Sequence, residues 1–466
     1  MKTPKIINDL NSLNPEYIFL VLGLLFGLMI VYANPPFHSN DEDRHFYLAY
    51  EYAHGNFEPV VQNDKVGFNL PVNLYNISVS TQGKNYAAGQ KVSRKQIDEQ
   101  KLIPLDEDKK IFYEASTTGF APISYIGPII GISVGKGLDD NPISILWAGR
   151  TGGLIFYLVI VFFAIRMMPA HKLSMMLVAL NPMALYQASS ITYDTPILAM
   201  TFLIIAYTLK LFFENSTIDL KEIGIILAIA LFMSFSKEGY VFVPFIALIL
   251  PINNFKNKNY YYTMIAGLIL AYFIPDWTWG AYYNGLNLPP QKPFIKDFVY
   301  GGSQQIDFLT SDPVGAISNI IMNIITQGKE WIWGMLGRFG YSYTVMNKGL
   351  LTIYGLILLA VALLENPGKL EFNDKQRYII LGIGVATMAL ITVGFYALVS
   401  PVGSKVIFGL QGRYFIPAIP FLLLAMSNHV VKKEQFLSYQ NVIVAGISLL
   451  VLSYTVYFLN GNLWID

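Results

Sequence analysis

Hydrophobic and polar positions fall along this chain in long blocks. Apolar runs of about 20 residues recur, the length at which one helix crosses the roughly 30 Å hydrocarbon core of a bilayer. The first is Tyr17 to Ala33. Others are expected at 142–166, 172–190, 194–213, 221–236, 239–253, 260–277, 347–365, 376–400, 412–431 and 439–459, about 11 spans in all. The pattern predicts an all-α integral membrane fold, with residues 1–466 as a single polytopic domain.

Two long stretches, 34–141 and 278–346, separate the apolar blocks. His45 to His54 alternates polar and apolar faces at helical spacing and stops at Gly55. Ile317 to Leu336, with Trp331 and Trp333, is similar. Both read as interfacial helices roofing a cavity. Phe120 to Leu138 is apolar enough to cross, but it holds Pro122, Pro128 and four glycines. We read it as lying in the outer interface or partly re-entering.

Composition agrees with a membrane protein. The 466 residues are 54% hydrophobic and only 14% charged, against about 25% charged for soluble domains. A net charge of +1 offers no field for nucleic acid. The chain has no cysteine, which excludes disulfides, thiolate metal sites and cysteine nucleophiles. Neither a phosphate-binding Gly-rich loop nor a Gly-x-Ser-x-Gly elbow is present.

Charge in the connections sets the expected orientation. Lys2/Lys5, Arg166/Lys172, Lys210/Lys221, Lys256/Lys258, Lys369/Lys375/Arg377 and Lys432/Lys433 fall on one side. The other side's short connections are Ser189–Tyr193, without Lys or Arg, Ser236–Gly239 with Lys237, and Pro401–Gln411 with Lys405. Positive-inside logic puts the N-terminus in the cytoplasm, the C-terminus outside, and both long loops outside. A spanning 120–138 would flip every later connection. Val31-Tyr32-Ala33 loosely resembles a cleavage site, but Pro35-Pro36 follow closely, and the run reads as a retained anchor.

Candidate chemistry begins where the first run ends, at Asn34-Pro-Pro-Phe-His-Ser-Asn-Asp41-Glu42-Asp43-Arg44-His45. Ser39-x-x-Glu42 has the form of a capping box, and acids in a first helical turn gain about 0.3–1 kcal/mol from the macrodipole. The functional reading is that Asp41 accepts a proton from a hydroxyl or orients it. Glu42 then serves as base or, better, touches a metal or sugar. His45 lies one turn on, facing Asp41 and Glu42. It either helps them hold a divalent cation such as Mg or Mn, or bonds its own helix's carboxylate.

The order of motifs resembles a bacterial family of polytopic membrane proteins, the domain of unknown function 2142. They are Pro35-Pro36, Asp41-Glu42-x-x-His45-Phe46, Gly119-Phe-Ala-Pro-Ile-Ser-Tyr125, Asn181-Pro-Met-Ala-Leu-Tyr-Gln-Ala with Tyr193-Asp194, Ser236-Lys237, Trp333-Gly-Met-Leu-Gly337 and Gln411-Gly-Arg-Tyr-Phe-Ile-Pro417. Here Phe37-His-Ser-Asn40 separates the prolines from the acidic pair, and Ala121 replaces a second proline. That family in turn resembles the GT-C superfamily of integral-membrane glycosyltransferases.

The resemblance implies a GT-C-like fold and an outer-face enzyme of the bacterial inner membrane. It would move a sugar from a polyprenyl-phosphate-linked donor to an envelope glycan or lipid-linked acceptor. Asp41 would be catalytic. Arg413, Lys237 and Arg338 sit at outer span ends, where cations would grip the donor phosphate. Glu42, His45, Asp194 and Gln411 would complete substrate binding, although Asp194 equally reads as a helix cap. No cofactor beyond the optional cation is implied. The rival readings are a lipid or glycan transporter or flippase, a glycan polymerase, and a non-catalytic envelope-assembly protein.

Overall fold

A computed structural model describes residues 13–85, 90–115, 118–289, 302–341, 343–365, 371–427 and 439–465. The charge markers Lys2, Lys5, Lys369, Lys432 and Lys433 lie outside them. Among the described residues five helices are long and apolar enough to cross a membrane: Pro15–Ala33, Pro142–Met167, Asp194–Phe213, Asp374–Val399 and Gln440–Leu463. A sixth arises if Gly302–Ser311 and Pro313–Gly337, bent by 108°, count as one broken span.

Among the described residues five or six candidate spans thus stand where 11 were expected, and the reason is local. The run 172–190 is cut at Asn181-Pro182 into helices of 8 and 7 residues. Asn181 accepts from the Met183 amide and starts the second piece afresh. The run 239–253 is a series of 3-10 turns. In 412–431, Gly412–Ala418 is 3-10 and only Ile419–Met426 is α-helical; residues 428–431 are not described. Leu220–Ser236 and Lys348–Leu364 have 17 residues each. Lys258–Pro275 is 18 residues long, but its start, Lys-Asn-Tyr-Tyr-Tyr, is too polar for a span.

The first long connection is not wholly helical. The strands Val60–Gln62, Lys65–Pro71 and Lys110–Glu114 form an antiparallel sheet. The stretch Phe120–Leu138 becomes a 3-10 turn, Pro122–Tyr125, and a 13-residue helix, Ile126–Leu138. That helix is about 20 Å long, too short to cross alone. It packs along Pro142–Met167, with Gly127, Gly131 and Gly135 against Ala148, Gly152 and Phe156.

The Glu42–Ala53 helix packs against Ile126–Leu138 and is almost wholly buried. Gly55 ends it as expected: the Gly55 amide bonds Tyr52 O at 3.0 Å and Asn56 bonds Glu51 O at 2.9 Å, a Schellman motif. The tail returns to the start of this loop. Val92–Ser93 pairs in parallel with Trp464–Ile465, and the Trp464 indole donates to Ala33 O at 2.7 Å.

Candidate functional site

The first span ends at Pro35-Pro36, leaving terminal carbonyls without helical partners. Arg150, wholly buried two turns into Pro142–Met167, supplies them. Its Nη1 donates to Val31 O at 3.0 Å and Asn34 O at 2.6 Å, and its Nη2 to Pro35 O at 2.8 Å. Its remaining donors grip Glu42, Nε to Oε1 at 2.8 Å and Nη2 to Oε2 at 2.6 Å. All five guanidinium N–H groups are thereby used. Glu42 Oε1 also accepts the Ile191 amide at 3.1 Å.

This places Glu42 in the packing instead of on a metal or sugar. The capping box is not formed either. Asp41 is the N-cap, its side chain caps nothing, and Ser39 Oγ turns to Asn34 and Ser190. Asp41 adopts a left-handed conformation, φ 54° and ψ 18°, a strained region that Asp enters more readily than most residues. The Tyr341 hydroxyl accepts from the Asp41 amide at 3.0 Å. The result is a carboxylate 39% exposed among buried neighbours, 3.7 Å from the Arg44 guanidinium.

Beside it lies a cluster of charges. Lys237 Nζ contacts Asp194 Oδ1 at 2.6 Å, and Arg413 Nη1 is 3.9 Å from Asp194 Oδ2. Gln187 bridges them, donating to Asp194 Oδ2 at 3.1 Å and accepting from Arg413 Nη1 at 3.2 Å. Arg413 Nη2 donates to Tyr414 Oη, and its buried Nε has no partner among the described residues. Lys237 sits over the rings of Tyr193 and Tyr414, 4.3 Å from each centroid. Gly412 makes this position of Arg413 available: a Cβ there would come within 2.0 Å of Trp331 O.

Two links join Asp41 to this cluster. Asn40 Nδ2 donates to Gln411 Oε1 at 3.0 Å, two residues before Arg413. His45 lies within electrostatic reach of Asp41, Asp194, Lys237 and Arg413. Burial holds the His45 imidazole down at about 4, so it is neutral at pH 7. Its Nδ1 is 2.7 Å from Tyr125 Oη, and the Tyr193 ring meets it edge-on at 4.7 Å. Its bond is therefore to a tyrosine and not to its own helix's carboxylate.

Asp41, His45, Asp194, Lys237, Gln411 and Arg413 thus come together from four separate parts of the chain. Arg338 does not join them: it pairs with Glu330, which also takes Lys348 at 2.8 Å. Among the described residues no three His, Asp or Glu side chains gather as ligands for a metal, and Asp41, Glu42 and His45 are not brought together in that way. Gln187, Tyr193 and Tyr414 are members that residue-type reasoning passed over. All three lie inside motifs already singled out, but neutral side chains carry no charge signal.

The sequence profile of the family described as "Predicted membrane protein (DUF2142)" matches residues 24–422. The chain belongs to the DUF2142 family. The match includes every residue of the constellation and most of the first span, and the last long helix, Gln440–Leu463, lies beyond it. No curated protein and no solved structure matches the chain. This DUF2142 chain is a multi-pass membrane protein embedded in a lipid bilayer. The family description names no activity, and function is argued from the site.

Proposed function

We propose that this protein is a GT-C-type membrane glycosyltransferase. It moves a sugar from a polyprenyl-phosphate carrier to an envelope glycan or lipid-linked acceptor, on the outer face of a bacterial inner membrane with the N-terminus in the cytoplasm. One observation carries the reading. Among the described residues the ion pairs of Lys237 and Arg413 both go to one carboxylate, Asp194, beside the partly exposed Asp41. Two cations on one anion leave positive charge to offer, and the Arg413 Nε is a donor still to be used.

A phosphate leaving group needs this kind of support, because negative charge develops on it as the bond to the sugar breaks. Lys237 and Arg413 hold the phosphate, and Gln187 and Tyr414 keep Arg413 aimed. Asp41 accepts the proton of the acceptor hydroxyl as that oxygen attacks the anomeric carbon. The carbon–oxygen bond to phosphate breaks as the new glycosidic bond forms, and a single displacement inverts the anomeric centre. Neutral His45 orients groups and does not compete for the phosphate.

The test is a transfer assay. Purified protein in nanodiscs receives a panel of polyprenyl-phosphate sugars together with isolated envelope glycans. Transfer from one of them, abolished in Asp41→Asn, supports the reading; no transfer from the whole panel counts against it.

A further inference from the structure

Aromatic rings continue outward from the constellation. Phe120 stacks on Tyr193 at 4.8 Å, and Tyr52 Oη donates to Phe120 O at 2.6 Å. Tyr52 then stacks on Phe57 at 5.6 Å and meets Trp279 edge-on at 6.4 Å, and Trp279 packs on Tyr282 at 5.4 Å. Phe57 is 46% and Tyr282 43% exposed, so the outer end of this series is an open face. Three chain segments build it: the exit of the Glu42–Ala53 helix, residues 118–120, and the π-helical turn Asp276–Gly280 with the helix after it. Trp279 Nε1 is fixed on Gly119 O at 2.6 Å, and Tyr283 bonds Thr118. π-Helical turns inside longer helices recur at functional sites.

The geometry points to this face as a carbohydrate-binding platform for an uncharged hexopyranose glycan. The flat C–H face of a pyranose ring is weakly electropositive and complements the negative face of an aromatic ring. Trp279, Tyr282 and Phe57 offer such faces, held in place by packing. Glu58, which accepts from Tyr282 Oη at 2.7 Å, puts a carboxylate at the rim. A carboxylate accepts sugar hydroxyls and repels phosphate, which disfavours both lipid headgroups and anionic polymers. Naming the glycan as the acceptor rests on the glycosyltransferase reading; its binding does not.

Full-length protein in nanodiscs would be titrated with linear oligosaccharides of glucose, galactose, mannose and N-acetylglucosamine, followed by saturation-transfer NMR. At least one probe binds saturably, and both Trp279→Ala and Tyr282→Ala weaken it about tenfold or more. Tyr282 is exposed, so its variant keeps the fold even if Trp279→Ala, which loses the bond to Gly119, does not. Trp277→Ala, on an exposed ring that stacks on Phe273, leaves binding unchanged. No probe binding more tightly than about 10 mM, or Trp277→Ala acting as strongly as Tyr282→Ala, overturns the platform and makes the rings an ordinary membrane-interface belt. Probe binding without transfer from any polyprenyl-phosphate sugar keeps the platform and removes the enzyme reading. Transfer to a glycan that Tyr282→Ala leaves untouched does the reverse.

Discussion

Glu42 and Arg150 form a two-point ion pair in which neither side chain has exposed surface. They are 108 residues apart, and through them the segment after the first span is tied to the second. Asp41 precedes this anchor directly, so the pair fixes where the exposed carboxylate stands. Removing either partner leaves the other charge buried and alone. Arg150→Met or Glu42→Gln is expected to cost about 3–5 kcal/mol, seen as a large fall in the melting temperature in detergent or nanodiscs. The double variant should lose less than the sum of the two, because no unpaired charge remains.

Asp194 has the same standing within the cluster. Asp194→Ala leaves Lys237 and Arg413 facing each other in a buried site and should destabilise by about 3–5 kcal/mol. Lys237→Met leaves Asp194 its contacts with Arg413 and Gln187, and should cost clearly less. Thermal unfolding of the two variants side by side checks the order.

Stability should also depend on pH through His45. Its imidazole is held down at about 4 against an ordinary 6.5, so the unfolded chain takes up this proton first. The His45 contribution is fully present above about pH 6.5 and is lost as pH falls towards 4, in total about 3 kcal/mol. His38, buried and held down at about 3, acts in the same direction. In His45→Asn the drop in melting temperature between pH 7 and pH 4.5 should shrink, leaving the part due to His38. An unchanged drop would mean that His45 is already accessible to protons in the folded protein.

Much of this was legible in the residues, and the parts that were not share a cause. The runs at 194–213 and 142–166 reappear as Asp194–Phe213 and Pro142–Met167, because a long apolar block admits only a helix in lipid. Asn181-Pro182 breaks a run that hydropathy alone joins: proline supplies no amide and asparagine caps the next turn. Lys237, Asp194 and Arg413 were each visible as charges at span ends, but their shared contact depends on packing between segments more than 40 residues apart. Ser39-x-x-Glu42 was misleading for the same reason. A local cap gains about 1 kcal/mol, and a buried guanidinium offers Glu42 more.

The orientation can be read by labelling, since the chain has no native cysteine. Ser39 is buried and unsuited to a probe. Lys109, 78% exposed in the first long connection, and Lys258, at the start of Lys258–Pro275, are better sites. A membrane-impermeant maleimide applied to spheroplasts should label Lys109→Cys and spare Lys258→Cys. The opposite pattern would turn the constellation towards the cytoplasm.

Steady-state kinetics with a polyprenyl-phosphate sugar that the parent protein accepts puts the site to its hardest trial. If Asp41 takes the proposed proton, Asp41→Asn should lower kcat by about 10²–10⁴-fold with donor KM little changed, since that role falls on the attacking hydroxyl and not on the donor. Lys237→Met should raise the donor KM. An Asp41→Asn variant as fast as the parent, or a Lys237→Met variant with unaltered donor KM and kcat, would contradict the division of labour between carboxylate and cations.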